Sequence, residues 1–217
     1  DARIGTWASR LRTPPTSASP NHARPVSAAP TRVRSPRRDG SDEARTRPSG
    51  PRISANSAPD SATATLGRTR FRRPVMESSV VNAKAGCLYP NNARMLAEVR
   101  GRGFANALVT DVMGNVAETA TANIFMVRDG VVQTPIPNGT FLSGITRARH
   151  MANLRADGIE VQEAVLTFED FEQADEVFMS GNMNKVTPVT GFEDKSYQIG
   201  PVTRRVRELY WDWALSA

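Results

Sequence analysis

The chain has 217 residues, with 28 basic and 22 acidic side chains, two histidines and one cysteine. A lone Cys87 excludes an internal disulfide framework, and His22 and His150 without a cysteine cluster give no metal-ligand spacing. No apolar run approaches the roughly 18 residues of a membrane span, so no membrane partner is expected and the expected compartment is cytoplasmic.

The net charge of +6 is unevenly placed. Residues 1–70 hold 13 Arg, no Lys and 5 acids, whereas residues 71–217 hold 15 basic and 17 acidic side chains. The basic character therefore belongs to the N-terminal third, and the remainder makes no electrostatic case for a nucleic-acid partner.

Residues 1–70 read as a disordered or non-native segment. They contain nine Pro and ten Ser but only seven large apolar residues: Ile4, Trp7, Leu11, Val26, Val33, Ile53 and Leu66. So little apolar area does not offset a backbone ordering cost of about 1–2 kcal/mol per residue, and the prolines interrupt any helix. Three origins stay open. A transit peptide is rich in Arg and Ser and poor in acids, but the prolines leave no amphipathic helix. An arginine-rich nucleic-acid arm would interleave aromatic residues, and none do so here. The third is GC-rich coding sequence read out of frame, which yields Arg, Pro, Ser, Ala and Thr without Lys.

Patterned sequence starts at Phe71-Arg72-Arg73-Pro74. Val80–Lys84 leads into N-A-K-A-G-C-L-Y-P-N-N, and Pro90-Asn91-Asn92 offers an N-cap. Ala93–Arg100 is predicted helical, with Met95, Leu96 and Val99 on its apolar side and Gly101 and Gly103 ending it. Asn106–Asp111 is a predicted buried strand. Met113-Gly114-Asn115 has turn chemistry, because Gly and Asn tolerate positive φ, and a returning strand carries Glu118.

Asp129-Gly130 between Ala122–Val127 and Val131–Thr134 is a second hairpin signal. Pro135, Pro137 and Gly139 mark a loop. Thr146–Ala156 is a predicted helix stopped by Gly158, and Ile159–Leu166 a strand. Thr167 is placed to cap a short helix, Phe168–Gln173. Glu176–Met179 and Val186–Thr190 are predicted strands and Arg204–Leu215 a final helix. The pattern is α+β, with mixed strands and helices packed on them.

Two residue types stand out chemically. A carboxylate within apolar β sequence, as at Glu118, is either turned outward or paired. Lys84 is one of three lysines and lies among Ala83, Ala85, Gly86, Cys87 and Leu88, surroundings that suit a partly desolvated, nucleophilic amine. Lys185 and Lys195 have polar or charged neighbours and read as solvated. Gly144-Ile145-Thr146 opens a helix, whose free N–H groups and dipole favour an anion, although an ordinary Thr cap has the same appearance. His150 reads as a plain helix residue, and Trp211 and Trp213 as packing for the last helix.

The ordered motifs N-A-K-A-G-C-L-Y-P-N-N, G-N-V-A-E-T-A-T-A-N-I-F, L-S-G-I-T-R and A-D-E-V-F-M-S-G-N carry a family resemblance. Residues 71–217 resemble the C-terminal domain of the class IV, fold-type IV pyridoxal-phosphate aminotransferases, nearest the branched-chain amino-acid aminotransferases. The resemblance implies pyridoxal 5'-phosphate as cofactor, amino acids and 2-oxo acids including 2-oxoglutarate as substrates, and a homodimer. It places the cofactor-bonding lysine at Lys84 and the pyridine-nitrogen carboxylate at Glu118. It also places the tyrosine facing the cofactor's phenolic oxygen at Tyr89, and phosphate contacts at Ile145, Thr146 and the turn Ser180-Gly181-Asn182. Many members have Thr where this chain has Asn182, so the resemblance implies an amide donor there in place of one hydroxyl contact. A smaller N-terminal domain with a phosphate-binding arginine is implied ahead of Phe71, and residues 1–70 match none of it. The expectation is transamination impaired by that missing part, or an inactive, truncated or frame-shifted relative.

Overall fold

The structure is a computed structural model that describes residues 62–216; the expectations for residues 1–61 lie outside the described residues. Nine strands form one sheet: β1 Ala64–Arg72, β2 Asn106–Thr110, β3 Val116–Thr119, β4 Asn123–Arg128, β5 Val131–Pro135, β6 Val161–Ala164, β7 Glu176–Gly181, β8 Lys185–Phe192 and β9 Lys195–Ser196. Four helices accompany them: α1 Tyr89–Arg100, α2 Ile145–Ala156, α3 Phe168–Glu172 and α4 Pro201–Leu215. The strand order is β3-β2-β1-β8-β7-β4-β5-β6, with β9 paired to β8. Val116 N–H donates to the Leu166 carbonyl just past β6 at 2.7 Å, which joins the two ends of that order. The mixed α+β class is as expected.

Side-chain alternation sorts the strands into an inner and an outer face. Leu66, Leu108, Ile124, Met126, Val177, Met179 and Val189 gather with Phe171 of α3 into one core. Phe125, Val127, Val132 and Phe178 face the other way and pack under α2 and α4 with Met151, Leu154 and Val206. Ala107 and Val109 pack under α1 with Met95 and Val99. Two helical layers thus cover the outer face, and the gap between α1 and α2 is where the candidate residues collect.

The expected start of the folded region at Phe71 is corrected. β1 begins at Ala64, lies inside the sheet parallel to both β2 and β8, and buries Leu66 completely. Arg68, Arg70 and Arg72 disguised it. Arg68 lays its guanidinium over Phe168 and Phe192, at 4.8 and 5.5 Å from their ring centres, so a charged residue here covers apolar surface. Gly67 is required by packing, because an added Cβ would stand 2.6 Å from a ring carbon of Phe104.

α1 is likewise longer than expected, starting at Tyr89 rather than Ala93, and neither Asn91 nor Asn92 caps it. Pro90 sits in its first turn, where a missing N–H costs nothing, and a 3-10 turn at Gly86–Leu88 leads in. The Asp129-Gly130 hairpin forms with φ of 51° and 79°, the pair of positive values a two-residue turn requires. Thr167 and Asp170 form a reciprocal capping box on α3. Glu176 is buried because it serves α4: its carboxylate accepts from the N–H groups of Val202 and Thr203 at 3.1 and 2.7 Å, at the positive end of that helix.

Candidate active site

The floor of the site is Glu118. In the β2–β3 pair it stands opposite Val109, and so shares the helix-facing side of the sheet with the α1 core. Its side chain is buried, with only 8% of the residue exposed. Arg73, 4% exposed, approaches one carboxylate oxygen to 3.1 Å. Arg73 is itself held by Asn92 Oδ1 at 2.7 Å and by the carbonyls of Thr119 and Ala120 at 2.7 and 3.2 Å. The second carboxylate oxygen accepts from Asn123 Nδ2 at 3.3 Å. Burial pushes the Glu118 carboxyl up to about 7, opposed by the Arg73 charge and by a backbone hydrogen bond from Leu142. Burial also lowers the Arg73 pKa, with Glu118 opposing. For both partners desolvation outweighs the attraction.

The turn into α2 lies beside this floor. Gly144 occupies the N-cap position without a side-chain cap, which leaves the first N–H groups of a twelve-residue helix free. Arg147 anchors the helix from below, donating to Thr134 Oγ1, the Pro135 carbonyl and Glu163 at 3.2, 2.9 and 2.7 Å. Across the gap, Ser180 is buried with its Oγ unpaired. Asn182 Oδ1 accepts from Lys185 Nζ at 2.9 Å in an exposed hydrogen bond. The Lys185 ammonium also lies 5.6 Å from the Tyr210 ring centre.

Two adjoining hollows of about 340 and 760 Å³ join these pieces. The smaller is walled by Arg73, Lys84, Tyr89, Leu96, Glu118 and Phe141. The larger is walled by Lys84, Glu118, Ile145, Thr146, Ser180 and Asn182, among others. Lys84 and Glu118 border both. All six residues singled out in the sequence, Lys84, Tyr89, Glu118, Ile145, Thr146 and Asn182, therefore line one connected, open depression.

Lys84 differs from expectation in one respect. It lies on an exposed turn and not in a desolvated niche, because the small residues around it leave nothing bulky to cover its amine. Tyr89 is 53% and Ile145 91% exposed.

Several contributors were missed in the sequence. Arg73 looks like its neighbour Arg72, and only the strand register turns it inward; Arg72 instead binds the Asp111 carbonyl at 2.9 Å. Asn123 lies five residues beyond Glu118, and nothing local marks it. Arg149 and Trp213 meet with guanidinium over ring at 4.0 Å, and both line the larger hollow. His150, by contrast, lines neither hollow and is the plain helix residue expected, fully buried in α2. Its Nε2 lies 3.1 Å from the Lys185 carbonyl, and burial lowers its pKa to about 4. Among the described residues no cluster of three His, Cys, Asp or Glu could hold a metal, and no helix is long and apolar enough to cross a membrane.

The model of the amino-transferase class IV family matches residues 21–192, and the chain belongs to that family. The match begins well ahead of Phe71. The branched-chain-amino-acid aminotransferase of Escherichia coli K12 is 39% identical over 132 residues, which are 59% of this chain and 43% of that protein. Among solved structures, an aminotransferase from Brucella abortus, described as bound to the co-factor PLP, is 60% identical with a TM-score of 0.69, covering 70% of this chain and 54% of that one. The branched-chain amino acid aminotransferase from E. coli is 34% identical with a TM-score of 0.66, covering 69% and 52%. The chain thus spans about half the length of the relatives it matches.

Proposed function

We propose that this chain carries the lysine-bearing half of a pyridoxal-phosphate aminotransferase site, acting on branched-chain amino acids with 2-oxoglutarate as amino acceptor. The observation that carries the proposal is the shared border. A primary amine, a buried carboxylate and a free helix N-terminus surround one depression. That donor set fits an anionic aldehyde with a basic ring nitrogen. The unpaired Ser180 Oγ beside the α2 turn adds a polar group with capacity to spare. Relatives named as branched-chain aminotransferases support the substrate class, and the Brucella protein supports the cofactor.

When bound, pyridoxal phosphate supplies an electron-accepting ring for the pair left as the substrate Cα–H bond breaks. Lys84 would be the residue whose primary amine faces the cofactor's aldehyde carbon, and the base that would take the proton from the substrate Cα. Glu118, held by Arg73 and Asn123, would be the carboxylate that keeps the ring nitrogen protonated. Tyr89 would face the phenolic oxygen, and Ile145 and Thr146 with the Gly181-Asn182 turn would hold the phosphate.

Lys84 on an open face supports a second element of the proposal: binding by the 217 residues alone is weak and turnover small, because nothing covers the amine and water reaches the site. The exposed rim residues Tyr89 and Ile145 fit a face that further chain, and a second subunit, would cover. The test is to incubate the chain with pyridoxal phosphate, reduce with borohydride and locate the added mass, then assay leucine-dependent glutamate formation from 2-oxoglutarate. The expected result is modification at Lys84 with little turnover. Modification spread over other amines would overturn the site assignment. Full branched-chain aminotransferase rates would overturn the impairment.

A further inference from the structure

Asn123 is the first residue of β4 and pairs with Ser180 of β7, on the outer face that both share with α2. It is buried, and both ends of its amide are used. Nδ2 donates to Glu118 Oε2 at 3.3 Å and to the Leu142 carbonyl at 2.8 Å, while Oδ1 accepts from the Gly144 N–H at 3.2 Å. The amide cannot flip without facing a donor with a donor and an acceptor with an acceptor. The other end of the Gly144 bond is equally constrained: a Cβ at position 144 would stand 2.3 Å from Asn123 Oδ1. Asn123 and Gly144 are thus a matched pair. An Asp at 123 would keep the Gly144 bond but set a second carboxylate against Glu118.

We propose that Asn123 is a positioning residue that yokes the Glu118 carboxylate to the backbone turn opening α2. A ligand bridging the depression then meets its carboxylate and its helix N-terminus at a fixed separation. The proposal rests on the aminotransferase assignment for the roles of those two groups, but its geometry belongs to the chain alone. The charged and titratable groups facing Glu118 are Arg73 from β1's end, Lys84 and Tyr89 around the smaller hollow, and Arg149 of α2 on the larger one.

The test follows the Glu118 carboxyl by carbon NMR in the cofactor-free chain, assigned with Glu118→Gln. Wild type is compared with Asn123→Ala, Asn123→Asp and Gly144→Ala. Removing a donor to the ionised form raises the titration midpoint, by about one pH unit for Asn123→Ala. Asn123→Asp raises it further, and Gly144→Ala raises it by displacing the amide. An unchanged midpoint in a folded Asn123→Ala protein, with only a lower melting temperature, overturns the proposal. If Asn123→Ala does not fold, the Asp and Gly144→Ala variants decide by the same criterion. Failure of wild type to form the Lys84 adduct would refute the cofactor assignment and leave the midpoint comparison standing.

Discussion

The floor and the rim of the depression are built on opposite terms. Glu118, Arg73 and Asn123 are buried, tied to one another and positioned by strand register. Lys84, Tyr89 and Ile145 are exposed and carried on a turn and two helix starts. A group that must hold a charge in place benefits from a rigid, desolvated seat, which costs stability and is made tolerable by its partners. A group that must bond a carbon and then move a proton needs reach, which a turn allows. The contrast predicts that floor substitutions act on stability and pH response, and rim substitutions on chemistry with little effect on folding.

The largest effect should be at the rim. Lys84→Ala should abolish the borohydride-trapped adduct while changing unfolding free energy by no more than about 0.5 kcal/mol; a large stability loss would erase the distinction. Next is the floor. Arg73→Ala leaves Glu118 buried without its counter-charge and should cost about 3–5 kcal/mol in urea unfolding at pH 8. The cost should shrink at pH 5, where Glu118 is protonated. Equal losses at both pH values would mean that the ion pair is not what Arg73 contributes.

The pH dependence of stability sharpens the contrast further. Glu118 has its folded pKa raised to about 7. Its contribution is therefore fully present below the ordinary carboxylate range and lost as pH rises through about 7. His150 has its folded pKa lowered to about 4, so its contribution is present above 6.5 and lost as pH falls through about 4. Glu118→Gln should remove the fall in its contribution to melting temperature as pH rises from 4.5 to about 7, and His150→Phe the fall as pH drops from 6.5 to about 4. The smallest effect is a control away from the site: Thr167→Ala removes one half of the α3 capping box, costing about 1 kcal/mol without altering adduct formation.

Local chemistry was enough for much of this molecule. Asp129-Gly130 had to turn, because few other pairs accept two positive φ values. Thr167 had to cap, because its hydroxyl meets the N–H three residues on. Lys84, Glu118 and Thr146 stood out because an amine, a carboxylate within a strand and a helix opening are visible in single short stretches. What the sequence could not determine depends on partners far along the chain. β1 is a strand because β2 and β8 flank it, and its arginines hid that until Phe168 and Phe192 lay beneath Arg68. Arg73 rather than Arg72 reaches Glu118 because the β1–β2–β3 register turns it inward across 45 residues of sequence. Asn123 meets Gly144 only once β4 and the α2 turn are side by side. Propensity and turn chemistry act over a few residues, whereas burial and ion pairing are set by neighbours in space, which only the tertiary fold supplies.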